Sequence, residues 1–170
     1  MPSRSPVRRA TPGTDDDAVS ALMVDYLSWA LDRLREEYGI DDPPTEPRLV
    51  RESLPLFQQP DGLTVLAEED DGRVVGVGAL RRHGGDVTEV KRMYVAPEAR
   101  GRHLGSAILD RLIAEAGETG ARLLRLDTCR FMTDAQRLYR SRGFSERDPY
   151  PETEIPPRIQ RHWLFFEREL

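Results

Sequence analysis

The stretch Val87-Thr88-Glu89-Val90-Lys91-Arg92-Met93-Tyr94-Val95-Ala96-Pro97-Glu98-Ala99-Arg100-Gly101-Arg102-His103-Leu104-Gly105 decides the fold. A strand closed by Pro97 runs directly into a turn bearing two glycines and the start of a helix. Leu104, Ala107, Ile108 and Leu112 give that helix an apolar face as far as about Glu118. The first turn of a helix has N–H groups without intrahelical partners and carries the positive end of the macrodipole, so a pyrophosphate there gains several hydrogen bonds at once. Gly101 and Gly105 remove side chains that would hold such an anion away, and Arg100 and Arg102 can add charge-assisted contacts. Taken alone, the same turn also reads as a plain connector or as the phosphate loop of a nucleotide-binding fold.

Upstream, residues 1–6 read as a disordered tail, and residues 7–170 as one domain. Val7 to Thr11 suits a first strand, ended by Pro12-Gly13. Thr14 reads as the N-cap of a helix with Asp15, Asp16 and Asp17 in its first turn, continuing to Tyr38. A shorter helix around Arg48 to Leu56 leads to the turn at Pro60-Asp61-Gly62. The runs from Leu63 to Ala67 and Val74 to Leu80 flank Asp70-Asp71-Gly72 as a hairpin. Downstream come a strand from Leu123 to Thr128, a helix from about Thr133 to Ser141, a Gly143-Phe144 break, a proline-rich loop and a final aromatic strand through Trp163, Phe165 and Phe166. The expected order is β-α-α-β-β-β-α-β-α-β-β.

Composition narrows the function classes. Thirty acidic against twenty-five basic side chains leave a net charge of −5, so no basic excess advertises nucleic-acid binding. Cys129, the only cysteine, cannot form an intramolecular disulfide, and Met1 is followed by a Pro/Ser/Arg stretch rather than an apolar leader. No apolar run approaches the roughly 20 residues that span a bilayer. The expectation is a soluble cytoplasmic protein without a membrane partner, a second copy of the chain being left open as a partner.

The run from Pro97 to Gly105 resembles the acetyl-CoA signature of the GNAT superfamily of N-acetyltransferases: Gln or Arg, two residues, Gly, one residue, Gly or Ala. Arg100 and Gly105 match its ends, and His103 stands where the first glycine usually sits. A non-glycine residue tolerates a positive φ less well at that point. A second run, Ala135-Gln136-Arg137-Leu138-Tyr139-Arg140-Ser141-Arg142-Gly143-Phe144, is similar to the family's later motif of Ala, two residues, Leu-Tyr and a Gly-Phe stop. Where the family often carries an asparagine ahead of that alanine, this chain has Met132.

The resemblance implies an α/β (α+β) fold, a mixed, strongly twisted sheet of about seven strands flanked by about four helices. It implies acetyl-CoA as cosubstrate, with pantetheine beside the backbone of Met93, Tyr94 and Val95 and pyrophosphate on Arg100, Gly101, Arg102, His103, Leu104, Gly105 and Ser106. The activity implied is transfer of the acetyl group to a primary amine by direct attack in a ternary complex. Tyr139 would protonate the departing thiolate. A non-catalytic acyl-CoA-binding or regulatory module is the competing reading.

An alkyl ammonium is protonated at pH 7, so an enzyme gains from a group that removes its proton. Glu89, eleven residues before Arg100, is similar to the glutamate base of some family members, and a strand-end glutamate paired with Lys91 or solvated is the alternative. Period-two alternation places Glu89, Lys91, Met93 and Val95 on one face, the first two roughly 7 Å apart. Cys129 reads as a small buried residue, His83 as a hairpin residue and His162 as an end-strand residue, with no spacing that suits a metal. Tyr26, Trp29, Glu36 and Glu37 on the long helix lie near the acidic loop at Asp41-Asp42, a region that the family resemblance implies helps form the acceptor site and that otherwise reads as a solvated acidic face.

Overall fold

The computed structural model describes residues 6–170. The expected tail lies outside the described residues as far as Ser5, while the Pro6 carbonyl accepts a hydrogen bond from the Glu68 N–H at 2.8 Å. The elements follow the expected order: β1 (Val7–Arg9), α1 (Asp16–Tyr38), α2 (Pro47–Ser53), β2 (Gly62–Glu68), β3 (Val74–Arg82), β4 (Val87–Val95), α3 (Leu104–Glu118), β5 (Leu123–Cys129), α4 (Thr133–Ser141), β6 (Ser145–Arg147) and β7 (Trp163–Glu169). The long helix starts one step later than the sequence suggests. Asp15, not Thr14, is its N-cap, and the Asp15 carboxylate is turned to the Thr11 N–H and to Arg8 instead of the helix. No helix among the described residues is long and apolar enough to cross a membrane.

The strands form one mixed sheet in the order β1-β2-β3-β4-β5-β7-β6. Only β4 and β5 are parallel, and they pair over three residues alone, Val87 with Leu123, Thr88 with Leu124 and Glu89 with Arg125. Beyond Glu89 the two strands separate, although β4 continues to Val95 and β5 stays paired to β7 as far as Cys129. The sheet is therefore split from one end, and the exposed β4 edge keeps unpaired backbone groups.

One face of the sheet is covered by α3, whose Ile108, Leu109 and Leu112 are fully buried against Leu80, Val90 and Leu124. Each such side chain contributes about 1.5–3 kcal/mol of burial. Gly78 permits the close approach: a Cβ there would lie 2.5 Å from Ile108 and 2.9 Å from Leu112. The other face, with Leu66, Val77 and Ala79, packs against Val19, Leu22 and Met23 of α1.

A β-bulge corrects the expected alternation. Between Val77 and Ala79, β3 advances by Gly78 alone while β4 advances by Arg92 and Met93, and Arg92 takes φ 57°. The extra residue reverses the facing of everything after it. Lys91 and Tyr94, opposite Ala79 and Val77, lie on the α1 face with Glu89, whereas Met93 and Val95 pack into the core beneath α3.

Candidate active site

The split between β4 and β5 opens into a cavity of about 630 Å³. That volume suits a small-molecule ligand. Its walls are β4 from Val90 to Val95, the end of β5 from Asp127 to Cys129, the start of α4 with Tyr139, and the α1 side chains Tyr26 and Trp29.

At one end stands the glycine-bearing turn. Helix α3 has no side-chain cap, and Ala107 N–H to His103 C=O at 3.0 Å is the first bond of its ladder. The N–H groups of Leu104, Gly105 and Ser106 are thus left without intrahelical partners. A Cβ at Gly101 or Gly105 would meet nothing within 4 Å, so the space in front of them is open. His103 adopts φ 60°, ψ 15°, the left-handed conformation that the usual glycine would take freely. Leu104 buries its side chain and offers the turn only its backbone.

The two arginines of the turn differ in placement. Arg102 pairs on the surface with Glu69. Arg100 folds back along the cavity wall, donating from Nε to the Val95 carbonyl at 3.0 Å, with its guanidinium 5.7 Å from the ring centres of both Trp29 and Tyr94. The Ala96 N–H is committed to Val75 on β3 at 2.9 Å, so the Val95 amide group faces the opened side of the sheet.

At the other end lies a buried charge cluster. Glu89 is 0% exposed and does not border the cavity. Its Oε1 accepts from the Tyr150 hydroxyl at 2.8 Å and from Lys91 Nζ at 3.3 Å, and its Oε2 meets His83 Nε2 at 2.6 Å. Lys91 Nζ also stands 3.8 Å from Asp127 and 3.3 Å from Glu154, and both carboxylates do border the cavity. Burial pushes the Asp127 carboxyl above the usual range, and the Glu89 charge adds to this against the opposing pull of Lys91. Burial alone would lower the Lys91 pKa, yet the charges of Asp127, Glu89 and Glu154 together raise it and keep the ammonium charged.

Tyr139 borders the cavity, packed between Phe144 and Phe166. Burial, reinforced by Tyr26 and the Asp127 charge, raises its phenol well above the ordinary value, so it stays a proton donor. Cys129 donates to the His162 carbonyl at 3.3 Å, and burial pushes its thiol up to about 11, the opposite of an activated nucleophile. Met132 takes the asparagine's place as an acceptor only, its sulfur 3.4 Å from the Thr128 hydroxyl.

Sequence reasoning placed Glu89, Tyr139 and the turn near one another, and missed Asp127, Tyr150, Glu154 and the role of His83. The available signal was Asp127 itself: a strand covered on both faces is normally apolar, and Leu123-Leu124-Arg125-Leu126-Asp127 carries two charges. His83 is more than a hairpin residue, and His162 stacks on Tyr38 at 4.1 Å just before β7. Glu36 and Glu37 pair with Arg33, and Asp41 with Arg35, on the surface. They do not border the cavity; of that helix group, Tyr26 and Trp29 do.

Comparison with known proteins agrees with this architecture. The Acetyltransferase (GNAT) family matches residues 27–144. An uncharacterised N-acetyltransferase of Schizosaccharomyces pombe is 35% identical over 59% of this chain and 62% of its own length. The IAA acetyltransferase of Azospirillum brasilense is 38% identical over 57% and 63%. The matches thus span less than two thirds of either relative. The fold is also that of yncA from Salmonella typhimurium, solved with its cofactor acetyl-CoA, at 21% identity and a TM-score of 0.72 over 99% of this chain and 95% of that one. The chain belongs to the GNAT family of acetyltransferases.

Proposed function

We propose that this protein binds acetyl-CoA in the split between β4 and β5 and transfers the acetyl group to a primary amine of a small molecule or peptide by direct attack in a ternary complex. The observation that carries this reading is continuity: one cavity joins the opened β4 edge, close to the uncapped start of α3, to Asp127 and Tyr139. The residues present fit the cosubstrate. The free N–H groups of 104–106 suit a pyrophosphate, Arg102 can exchange Glu69 for phosphate because exposed pairs are weak, and the Val95 amide faces the space a pantetheine would occupy. Acetyl-CoA supplies the thioester carbonyl that the amine attacks.

The chain's own residues then handle two protons. Tyr139, held protonated by burial, donates to the leaving sulfur. Asp127, whose carboxylate burial makes more basic than usual, is the carboxyl best placed to take the amine's proton. Glu89 stands one hydroxyl behind it, reaching Asp127 through Tyr150, which lies 3.3 Å from Asp127 Oδ2. Glu89 thus serves the base instead of touching the amine. Asp127 and Glu154 also give an incoming ammonium a favourable field.

The test is acetyl-CoA-dependent thiol release over a panel of amines, with product mass confirming the added acetyl group. Release with a mass gain on the amine is expected. CoA binding without thiol release across the panel would identify a binding or regulatory module in place of an enzyme.

A further inference from the structure

The cavity is joined to the protein surface by an unbroken line of side-chain hydrogen bonds. It runs from Asp127 Oδ2 to the Tyr150 hydroxyl at 3.3 Å, from that hydroxyl to Glu89 Oε1 at 2.8 Å, and from Glu89 Oε2 to His83 Nε2 at 2.6 Å. Asp127 opens on the cavity, and Tyr150 and Glu89 are buried. His83 sits at the β3–β4 hairpin, its side chain 12% exposed. The two carboxyl oxygens of Glu89 face different partners, so its carboxylate stands between the Tyr150 hydroxyl and the His83 imidazole.

We propose that this line is a proton conduit from the acceptor amine to solvent, with His83 as its outlet. The proposal rests on the acetyl-transfer reading, because it answers a need that reading creates: the proton taken from the amine lands on Asp127, a side chain 11% exposed, and must reach water. The amine N–H bond breaks as an O–H bond forms on Asp127. That proton passes to the Tyr150 oxygen as the hydroxyl's own proton moves to Glu89 Oε1. Glu89, now neutral, turns its carboxyl group to present that same proton to His83 Nε2, and the Nδ1 proton leaves to bulk water. One proton is moved and no electrons change hands; the hydroxyl and imidazole then reorient for the next turnover.

The surrounding charges permit this transit. Glu89, Asp127 and Glu154 outnumber the two cations paired with them, Lys91 and Arg81, so the line crosses a region with an excess of acid. The arginines flanking Glu89 across the sheet are engaged elsewhere: Arg81 of β3 with Glu154 at 2.6 Å, and Arg125 of β5 with Glu152 at 2.8 Å and Glu167 at 2.9 Å. At the hairpin, Asp86 lies 3.8 Å from Arg122.

His83→Gln keeps a side chain able to hydrogen-bond Glu89 but unable to relay a proton. It is expected to lower kcat about 10-fold or more, alter the pH profile of kcat, and leave the CoA Kd unchanged. Tyr150→Phe is expected to do the same, and added imidazole is expected to restore kcat in His83→Ala. Wild-type kcat and an unaltered pH profile in His83→Gln would overturn the conduit. If CoA binds but no amine releases thiol, the acetyl-transfer reading has failed, and the conduit is decided on the resting protein by ¹⁵N histidine NMR. Tyr150→Phe removes a hydroxyl and no charge, so a shifted His83 titration supports the line and an unchanged one rejects it.

Discussion

Two buried acids on opposite faces of the sheet meet opposite fates. Glu115 of α3 is 1% exposed and answers to two cations, Arg9 of β1 at 2.7 Å and Arg111 at 2.6 Å. Burial would raise its pKa, yet the two guanidiniums hold the carboxyl below its ordinary value. Across the sheet, Glu89, Asp127 and Glu154 all meet Lys91, only Glu154 has a second cation in Arg81, and Asp127 is driven up instead. The number of cations per carboxylate therefore decides the role. A surplus of cations makes a clasp that stays ionised, and a surplus of acids makes a group that handles protons.

The largest effect should come from removing the acid with too few cations. Asp127→Asn is expected to cut kcat about 10²-fold or more, with the CoA Kd unchanged. It should not lower Tm. A carboxyl whose folded pKa is raised contributes stability that is fully present below its unfolded value of 3.8 and is lost as pH rises through the folded value. Asparagine mimics the protonated form and keeps that stability at neutral pH. A variant that melts early but turns over normally would make Asp127 a clasp like Glu115. Tyr139→Phe should follow at about 10²-fold in kcat with the acetyl-CoA KM held; a raised KM at unchanged kcat would reassign Tyr139 to binding.

These two residues also mark how far the sequence could be read. Tyr139 was legible because Leu138-Tyr139 and Gly143-Phe144 belong to one local motif on one helix. The element order was legible for the same reason: turn residues and apolar periods act over a few positions. Asp127 was not, since its importance arises where β5 separates from β4, a pairing that ends at Arg125 and that no local pattern announces. Tyr150 comes from a proline-flanked loop folded over the sheet, 61 residues from its partner Glu89. The facing of Met93 was misread because one bulge residue, Arg92, undoes a period-two rule.

The clasp side offers a smaller, purely energetic test. Glu115→Gln leaves Arg9 and Arg111 facing a neutral amide. Both arginines are partly exposed and can rehydrate, so the cost should be about 1–2 kcal/mol, below the 3–5 typical of a fully buried pair. For a chain of this size that lowers Tm by roughly 2–4 °C per kcal/mol. The pH dependence has a fixed sign. Glu115 has a depressed folded pKa, so its contribution is present above the unfolded value of 4.5 and is lost as pH falls through the folded one. Melts from pH 7 to 3 should show the wild type losing Tm below about 4.5 and Glu115→Gln losing less. Asp15, lowered by its hydrogen bond to Arg8, keeps part of the acid loss in both. Parallel curves would remove Glu115 from the clasp.

The smallest expected effect belongs to His103, where the chain departs from its family. At φ 60° a side chain costs about 1–2 kcal/mol relative to glycine, and among the described residues His103 makes no side-chain hydrogen bond that would offset it. His103→Gly relieves that strain, while the freer unfolded glycine returns part of the gain. The net should be a rise of roughly 0.5 kcal/mol, or about 1–2 °C in Tm. Cosubstrate affinity should not change, because the N–H groups of Leu104, Gly105 and Ser106 proposed to hold the pyrophosphate are the same whether residue 103 carries an imidazole or not. Calorimetric titration of CoA at pH 6 and pH 8 separates the alternatives. An equal Kd for both proteins at both values leaves the histidine a tolerated substitution. Weaker binding by the glycine variant at pH 6 alone would show that protonated His103 contacts phosphate, adding a cation on the turn to the Arg102 already there.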